Sequence, residues 1–77
     1  MDKIIIIGGA GYIGCVLTDL LLKHNYKVVS IDSLKFGSNS IRSFKKKKNY
    51  KFYKINTSNS EKVGKLSLGA KAVVDLS

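Results

Sequence analysis

IIIIGGAGYIG, residues 4–14, decides how the chain is read. Ile4 to Ile7 form an apolar run without alternation, the pattern of a parallel strand buried on both faces. Glycines follow at 8, 11 and 14, and Gly9 adds a further permissive position. The GxxGxxG spacing differs from GxGxxG but serves the same needs: a tight strand-to-helix turn, backbone close to a pyrophosphate, and close helix–strand contact. From Tyr12 to His24, residues Ile13, Val16, Leu17, Leu20 and Leu21 recur at helical spacing and predict the buried face of a helix. A helix starting at such a turn aims its free N–H groups at an anion. Three glycines alone say little; between a buried strand and a periodic helix they form a phosphate cradle.

The rest of the chain repeats this alternation. His24 and Asn25 stand where the helix should stop, Asn25 tolerating left-handed backbone. KVVSI at 27–31 reads as a second buried strand ending at Asp32. The segment 35–49 holds a loop rich in Gly, Ser and Asn, then a short basic helix with Ile41 and Phe44 as apolar contacts and Ser38 or Ser40 as cap. KFYKI at 51–55 resumes as strand. A helix follows over 61–68 with Ser60 as cap, weakened by Gly64 and ended by Gly69. KAVVDLS at 71–77 supplies a fourth strand. The expected fold class is α/β: a Rossmann-like parallel sheet of about four strands with three right-handed crossover helices. With 77 residues, the chain holds at most one domain.

Composition narrows the partners. The formal charge is +9, and thirteen of the fourteen basic residues are lysine. Such an excess favours anions: nucleotides, nucleic acid or an anionic membrane surface. A composition rich in Lys, Asn and Ile gives the same count without a polyanion partner. Cys15 is the single cysteine, so no disulfide framework exists, and a free thiol fits a reducing compartment. The opening residues do not read as a secretory leader, and no run approaches the roughly 20 apolar residues of a membrane span. The expected location is cytoplasmic, and no metal site is read.

Asp32 sharpens the nucleotide reading. It ends the second strand eighteen residues beyond Gly14, where a carboxylate accepts hydrogen bonds from an adenosine ribose. Its charge favours NAD over NADP, because a ribose 2′-phosphate would meet like charge. The competing reading is a simple turn cap.

IIIIGGAGYIG, then VVSIDSLKFGSNSIRS at 28–43 and KFYKINTSN at 51–59, resemble the opening of an extended short-chain dehydrogenase/reductase of the NAD-dependent epimerase/dehydratase family. Within it the likeness is greatest to UDP-glucose 4-epimerases and related nucleotide-sugar epimerases and dehydratases. It spans essentially all 77 residues but only the first third or so of such an enzyme, so the sheet is expected to be truncated and the substrate domain absent. The resemblance implies strand order 3-2-1-4, bound NAD, and transient oxidation of a nucleotide-sugar hydroxyl. It assigns Gly8, Gly11, Tyr12, Ile13 and Gly14 to the pyrophosphate turn and its flanks, and Asp32 to the adenosine ribose. Ser33 opens the loop around that ribose, at a position where these epimerases often carry Asn. Asn56 and Thr57 match an acid–aliphatic pair beside adenine, with Asn56 offering an amide in place of the acid. In AVVDLS at 72–77, Leu76 lines the approach to the cofactor, and Asp75 replaces the usual His.

The family's Tyr-x-x-x-Lys pair has only a formal counterpart, Tyr50 and Lys54. Four residues apart on a strand, these are separated by roughly 13 Å of rise, too far for a shared proton. No catalytic residue is therefore assigned, the sequence showing no evident base for Cys15 or His24. The leading expectation is NAD or adenine-nucleotide binding by an epimerase-like fragment, with a nucleotide sugar bound only if further domains are supplied. Two alternatives stay open. One is nucleic-acid binding through residues 42–54, where Lys45 to Lys48 lie near Phe44, Tyr50 and Phe52. The other is a self-association module, a homodimer formed through an exposed sheet edge.

Overall fold

Buried isoleucines and valines set the order of the sheet. The computed structural model describes residues 2–34, 41–56 and 58–76. In chain order these form β1 (Lys3–Ile7), α1 (Tyr12–Lys23), β2 (Lys27–Asp32), β3 (Tyr50–Lys54), α2 (Ser60–Ser67) and β4 (Ala72–Asp75). All pairings are parallel, and the strand order β3-β2-β1-β4 is the one the resemblance implied. Ile5 lies opposite Val29 on one side and Val73 on the other. Side chains alternate between the faces. Ile4, Ile6, Val28 and Tyr50 pack with Leu22, Ile41 and Phe44 on one face. Ile5, Val29 and Ile31 pack on the other with Tyr53, Ile55, Val63 and Leu66. Both faces of the central strands are apolar, which explains the absence of polar alternation in IIII and VVSI.

The α1 helix has the expected length but a different phase. Its buried positions are Gly14, Thr18 and Leu22, flanked by the half-buried Cys15, Leu17 and Leu21. Ile13, Val16 and Leu20 face outward. Close contact of Gly14 with the preceding turn fixes the rotation, and apolar periodicity does not override it. Lys23 ends the helix, and Asn25 adopts φ 65°, the left-handed conformation expected of it.

The third expected helix is not formed: the described residues contain two α-helices. From Ile41 the chain makes tight turns instead, with Phe44 N–H donating to Ile41 C=O at 3.0 Å and Lys47 N–H to Phe44 C=O at 2.9 Å. These three-residue steps are 3₁₀-like, a geometry used in short pieces as a connector. Ile41 and Phe44 are nonetheless the buried anchors of the segment. The proposed caps Ser38 and Ser40 lie outside the described residues.

Near the C-terminus, Asn59 rather than Ser60 caps α2, its side chain accepting the Lys62 N–H at 3.3 Å. Lys3 Nζ reaches back from β1 to the Leu66 and Leu68 carbonyls at 3.2 and 2.8 Å. That contact satisfies acceptors a helix end leaves open. Gly69 then turns the chain with φ 76°. No helix among the described residues is long and apolar enough to cross a membrane. Parallel pairing brings the carboxyl ends of all four strands to one rim, where the glycine turn, Asp32, Asn56 and Leu76 follow the strands.

Candidate functional site

Gly8 leaves β1 with φ 83°, and its N–H donates to the Ile31 carbonyl at 2.7 Å. A positive φ costs an L-residue strain that glycine avoids. The next turn is fitted by contact. A Cβ on Gly14 would lie 2.7–2.8 Å from backbone atoms of Gly9, so α1 and the turn approach as closely as bare backbone permits. A Cβ on Gly9 would overlap the Ser30 hydroxyl beneath it. Gly11 is less constrained, its nearest neighbour being the Gly8 carbonyl oxygen at 3.6 Å from such a Cβ.

Asp32 closes the turn from the side. Its Oδ2 accepts the Ala10 N–H at 3.0 Å, and its Oδ1 accepts the Leu34 N–H at 3.0 Å. Each carboxylate oxygen has two lone pairs, so both retain acceptor capacity. Leu34 holds φ 58° directly after this contact. Ser33, between them, is half-buried.

At its start, α1 carries no side-chain cap on Gly11 and no acidic residue in its first turn. Tyr12 is 85% exposed and Ile13 65%, so both flank the turn from outside. Cys15 packs under the turn, its Sγ 3.7 Å from the Gly9 and Ala10 carbonyl oxygens. Thr18 Oγ1 donates to Gly14 C=O at 2.7 Å within the core.

The other expected residues reach the rim from the neighbouring strands. Ile55 N–H donates to the Asp32 carbonyl at 3.1 Å, which seats the end of β3 beside that of β2. Asn56 follows, exposed, with its Oδ1 accepting the Ser58 N–H at 3.0 Å and the Ser58 hydroxyl at 2.8 Å. Its side-chain carbonyl is thus engaged locally. Thr57 lies outside the described residues. On the far side, Leu76 N–H donates to Ile7 C=O at 2.8 Å and continues the β1–β4 ladder to the rim. Asp75, opposite Ile7, is exposed.

Tyr50 and Lys54 form no catalytic pair. They occupy opposite ends of β3, Tyr50 buried and Lys54 exposed. Burial pushes the Tyr50 phenol up to about 12; the nearby Ser30 hydroxyl opposes this, and Cys15 and Asp32 add to it. The Ser30 and Tyr50 hydroxyls are close enough for this influence but do not meet hydrogen-bond geometry with each other or with another partner among the described residues.

Sequence reasoning missed three contributors: Gly9 as a required contact, Ala10 as the donor to Asp32, and Ser30 as the floor of the turn. A signal existed for the last. Ser30 is the single polar residue inside the buried run VVSI, where a small side chain leaves room for close backbone.

A sequence model described as the NAD dependent epimerase/dehydratase family matches residues 4–77. A dTDP-D-glucose 4,6-dehydratase of Dictyostelium discoideum is 42% identical over 65 residues, covering 79% of this chain and 15% of that protein. Among solved structures, a dTDP-glucose 4,6-dehydratase from Bacillus anthracis in complex with NAD superimposes with TM-score 0.88 at 25% identity, covering 100% of this chain and 27% of that one. The UDP-Glc/GlcNAc 4-epimerase of Campylobacter jejuni gives 0.83 at 30% identity, covering 99% and 24%. The chain therefore spans about a quarter of these structures, and its relatives divide between dehydratases and epimerases.

Proposed function

The chain belongs to the NAD dependent epimerase/dehydratase family, and we propose that its glycine turn and Asp32 hold the adenosine diphosphate half of NAD. One observation carries this reading: the Asp32 carboxylate is fixed to the Ala10 N–H of the turn and keeps acceptor capacity for ribose hydroxyls. Gly8, Gly11 and Gly14 bring backbone to the pyrophosphate, with the uncapped start of α1 supplying N–H donors. Tyr12 and Ile13 flank it. Ser33 and the amide of Asn56 extend the contacts toward ribose and adenine, with Thr57 beside them, and Leu76 borders the approach from β4. A fixed carboxylate at the ribose disfavours the 2′-phosphate of NADP.

NAD supplies a hydride acceptor for oxidation of a sugar hydroxyl in such a family. In this reading residues 1–77 are part of an NAD-binding domain, and the nucleotide-sugar domain lies outside them. The substrate class is a nucleotide sugar, the class named for both the dehydratases and the epimerases it resembles. The 77 residues by themselves turn over no nucleotide sugar, because Tyr50 and Lys54 are separated along β3. A cytoplasmic location accords with the lone thiol of Cys15.

Titration with NAD followed by backbone-amide NMR tests the binding. Saturable shifts at residues 8–14 and 32–34, lost in Asp32→Ala, are expected. No saturable shift at millimolar NAD overturns the reading for this chain. A second reading, self-association through β4, is favoured by Val73, which is 49% exposed on a strand that ends the sheet.

A further inference from the structure

Charge is distributed unevenly over the molecule. Arg42, Lys45 to Lys48, Lys51, Lys54, Lys62 and Lys65 fall within residues 42–65, against the single acid Glu61. Elsewhere the chain is close to neutral. All nine cations are exposed. Of these nine, only Lys65 has an ion pair among the described residues, with Glu61 at 3.7 Å.

The fold gathers these cations around one edge. β3 ends the sheet, with no further strand beside it among the described residues. The segment 41–48 is anchored by Ile41 and Phe44 on one face, and α2 packs on the other through Val63 and Leu66. Lys51 sits on the edge strand between them, whereas Lys54 closes that strand at the rim, opposite Asp32, and is not counted in the site. A band of uncompensated positive charge therefore wraps the β3 edge. Lys45 to Lys48 enter β3 from its amino end, opposite the rim that carries Asp32 and the glycine turn.

We propose that this band binds the phosphate backbone of nucleic acid, at a site separate from the dinucleotide rim and without reading or stacking the bases. Two observations fix that mode. Phe44 and Tyr50 are core residues whose tilted rings contact each other at 5.5 Å, and Phe52 packs half-buried against the same core, so none of the three rings stands free for a base. The exposed large apolar residues all lie outside 42–65, which leaves the band without an anchor for a bilayer. What remains is a lysine surface suited to point-charge contact with phosphates. Relief of repulsion among the lysines adds to the gain. The longest dimension of the molecule, 29 Å, spans about eight base pairs at 3.4 Å per step.

The test is fluorescence anisotropy of a labelled 20-base-pair DNA duplex of arbitrary sequence with the full chain, at 50 and 200 mM salt. About four phosphate contacts predict roughly a hundredfold loss of affinity between those concentrations. The quadruple variant K45Q/K46Q/K47Q/K48Q should bind at least tenfold more weakly at 50 mM, with a shallower salt dependence. Lys51→Gln provides an independent reduction, and circular dichroism checks that each variant is folded. Saturating NAD should leave duplex binding unchanged, as should scrambling its sequence. The proposal is overturned by absence of saturable binding, by unchanged affinity in both variants, or by competition with NAD. Tighter binding to phosphatidylserine vesicles than to the duplex also overturns it.

Discussion

Asp32 Oδ2 accepts the Ala10 N–H at 3.0 Å, tying the end of β2 to the residue between Gly9 and Gly11. The second oxygen holds the Leu34 N–H, so one carboxylate orders both the turn and the loop that follows β2. Removing it leaves two backbone donors without that partner. Asp32→Ala should cost about 1–3 kcal/mol of stability, the range for orphaning a partly buried hydrogen-bonding group. NAD affinity should fall at least tenfold, and discrimination against NADP should narrow, because the repelling charge is gone. Calorimetric titration with both dinucleotides, beside thermal melting, reads the two effects separately.

The glycines are not equivalent, and alanine substitution should rank them. At Gly14 the new methyl meets Gly9 backbone at 2.7–2.8 Å, which no side-chain rotation relieves. A loss of about 1–3 kcal/mol is expected from this overpacking. Gly11→Ala should be tolerated, with 3.6 Å to its nearest neighbour. Gly64→Ala should stabilise α2 by about 0.5–1 kcal/mol, because the site is open and alanine is the better helix former. Urea denaturation of the three variants gives the order. Equal losses at all three would mean that the turn is not packed this way.

Much of the sheet was legible because burial on both faces leaves a simple mark, the unbroken runs at 4–7 and 28–31. The helix phase was not. Ile13, Val16 and Leu20 satisfy helical periodicity as well as Leu17 and Leu21 do, and only the contact of Gly14 with Gly9 decides which stripe turns inward. Such a contact joins residues through tertiary structure, and spacing does not encode it. The segment 41–49 misled for a related reason: Ile41 and Phe44 have helix-compatible spacing, but two anchors three residues apart fit a 3₁₀ turn equally well. Residue types pointed to Asp32 and the glycines, whereas Ala10 meets Asp32 through its backbone and leaves no side-chain signature.

Tyr50 gives the fold an alkaline limit. Burial raises its phenol to about 12 from an ordinary 10.0, so between those values the folded chain keeps a proton that the unfolded chain releases. The unfolded state then binds fewer protons, and stability falls as pH rises through this window. Below pH 10 both states are protonated and the stabilisation is complete. Tyr50→Phe should flatten the alkaline loss. At neutral pH it should be close to neutral, since the hydroxyl removed has no hydrogen-bond partner among the described residues. Denaturation midpoints at pH 8, 10 and 11.5 check both points, and a parallel alkaline decline in wild type and Tyr50→Phe contradicts the assignment.

The two ends of the sheet are protected differently. β3 carries Lys51 and Lys54, exposed charges that discourage strand addition. β4 reads AVVD, and Val73 is half-exposed beside an edge with no further strand among the described residues. Association of two copies should therefore run through β4 rather than β3. A two-fold axis would pair the two β4 strands antiparallel, since an isologous contact uses the same edge twice. Sedimentation velocity from 10 to 500 μM should show concentration-dependent dimer. Val73→Lys should shift it to monomer while circular dichroism stays unchanged, and neutralising Lys51 should leave the dimer in place. A chain that stays monomeric throughout, or a dimer indifferent to Val73→Lys, excludes β4 as the contact.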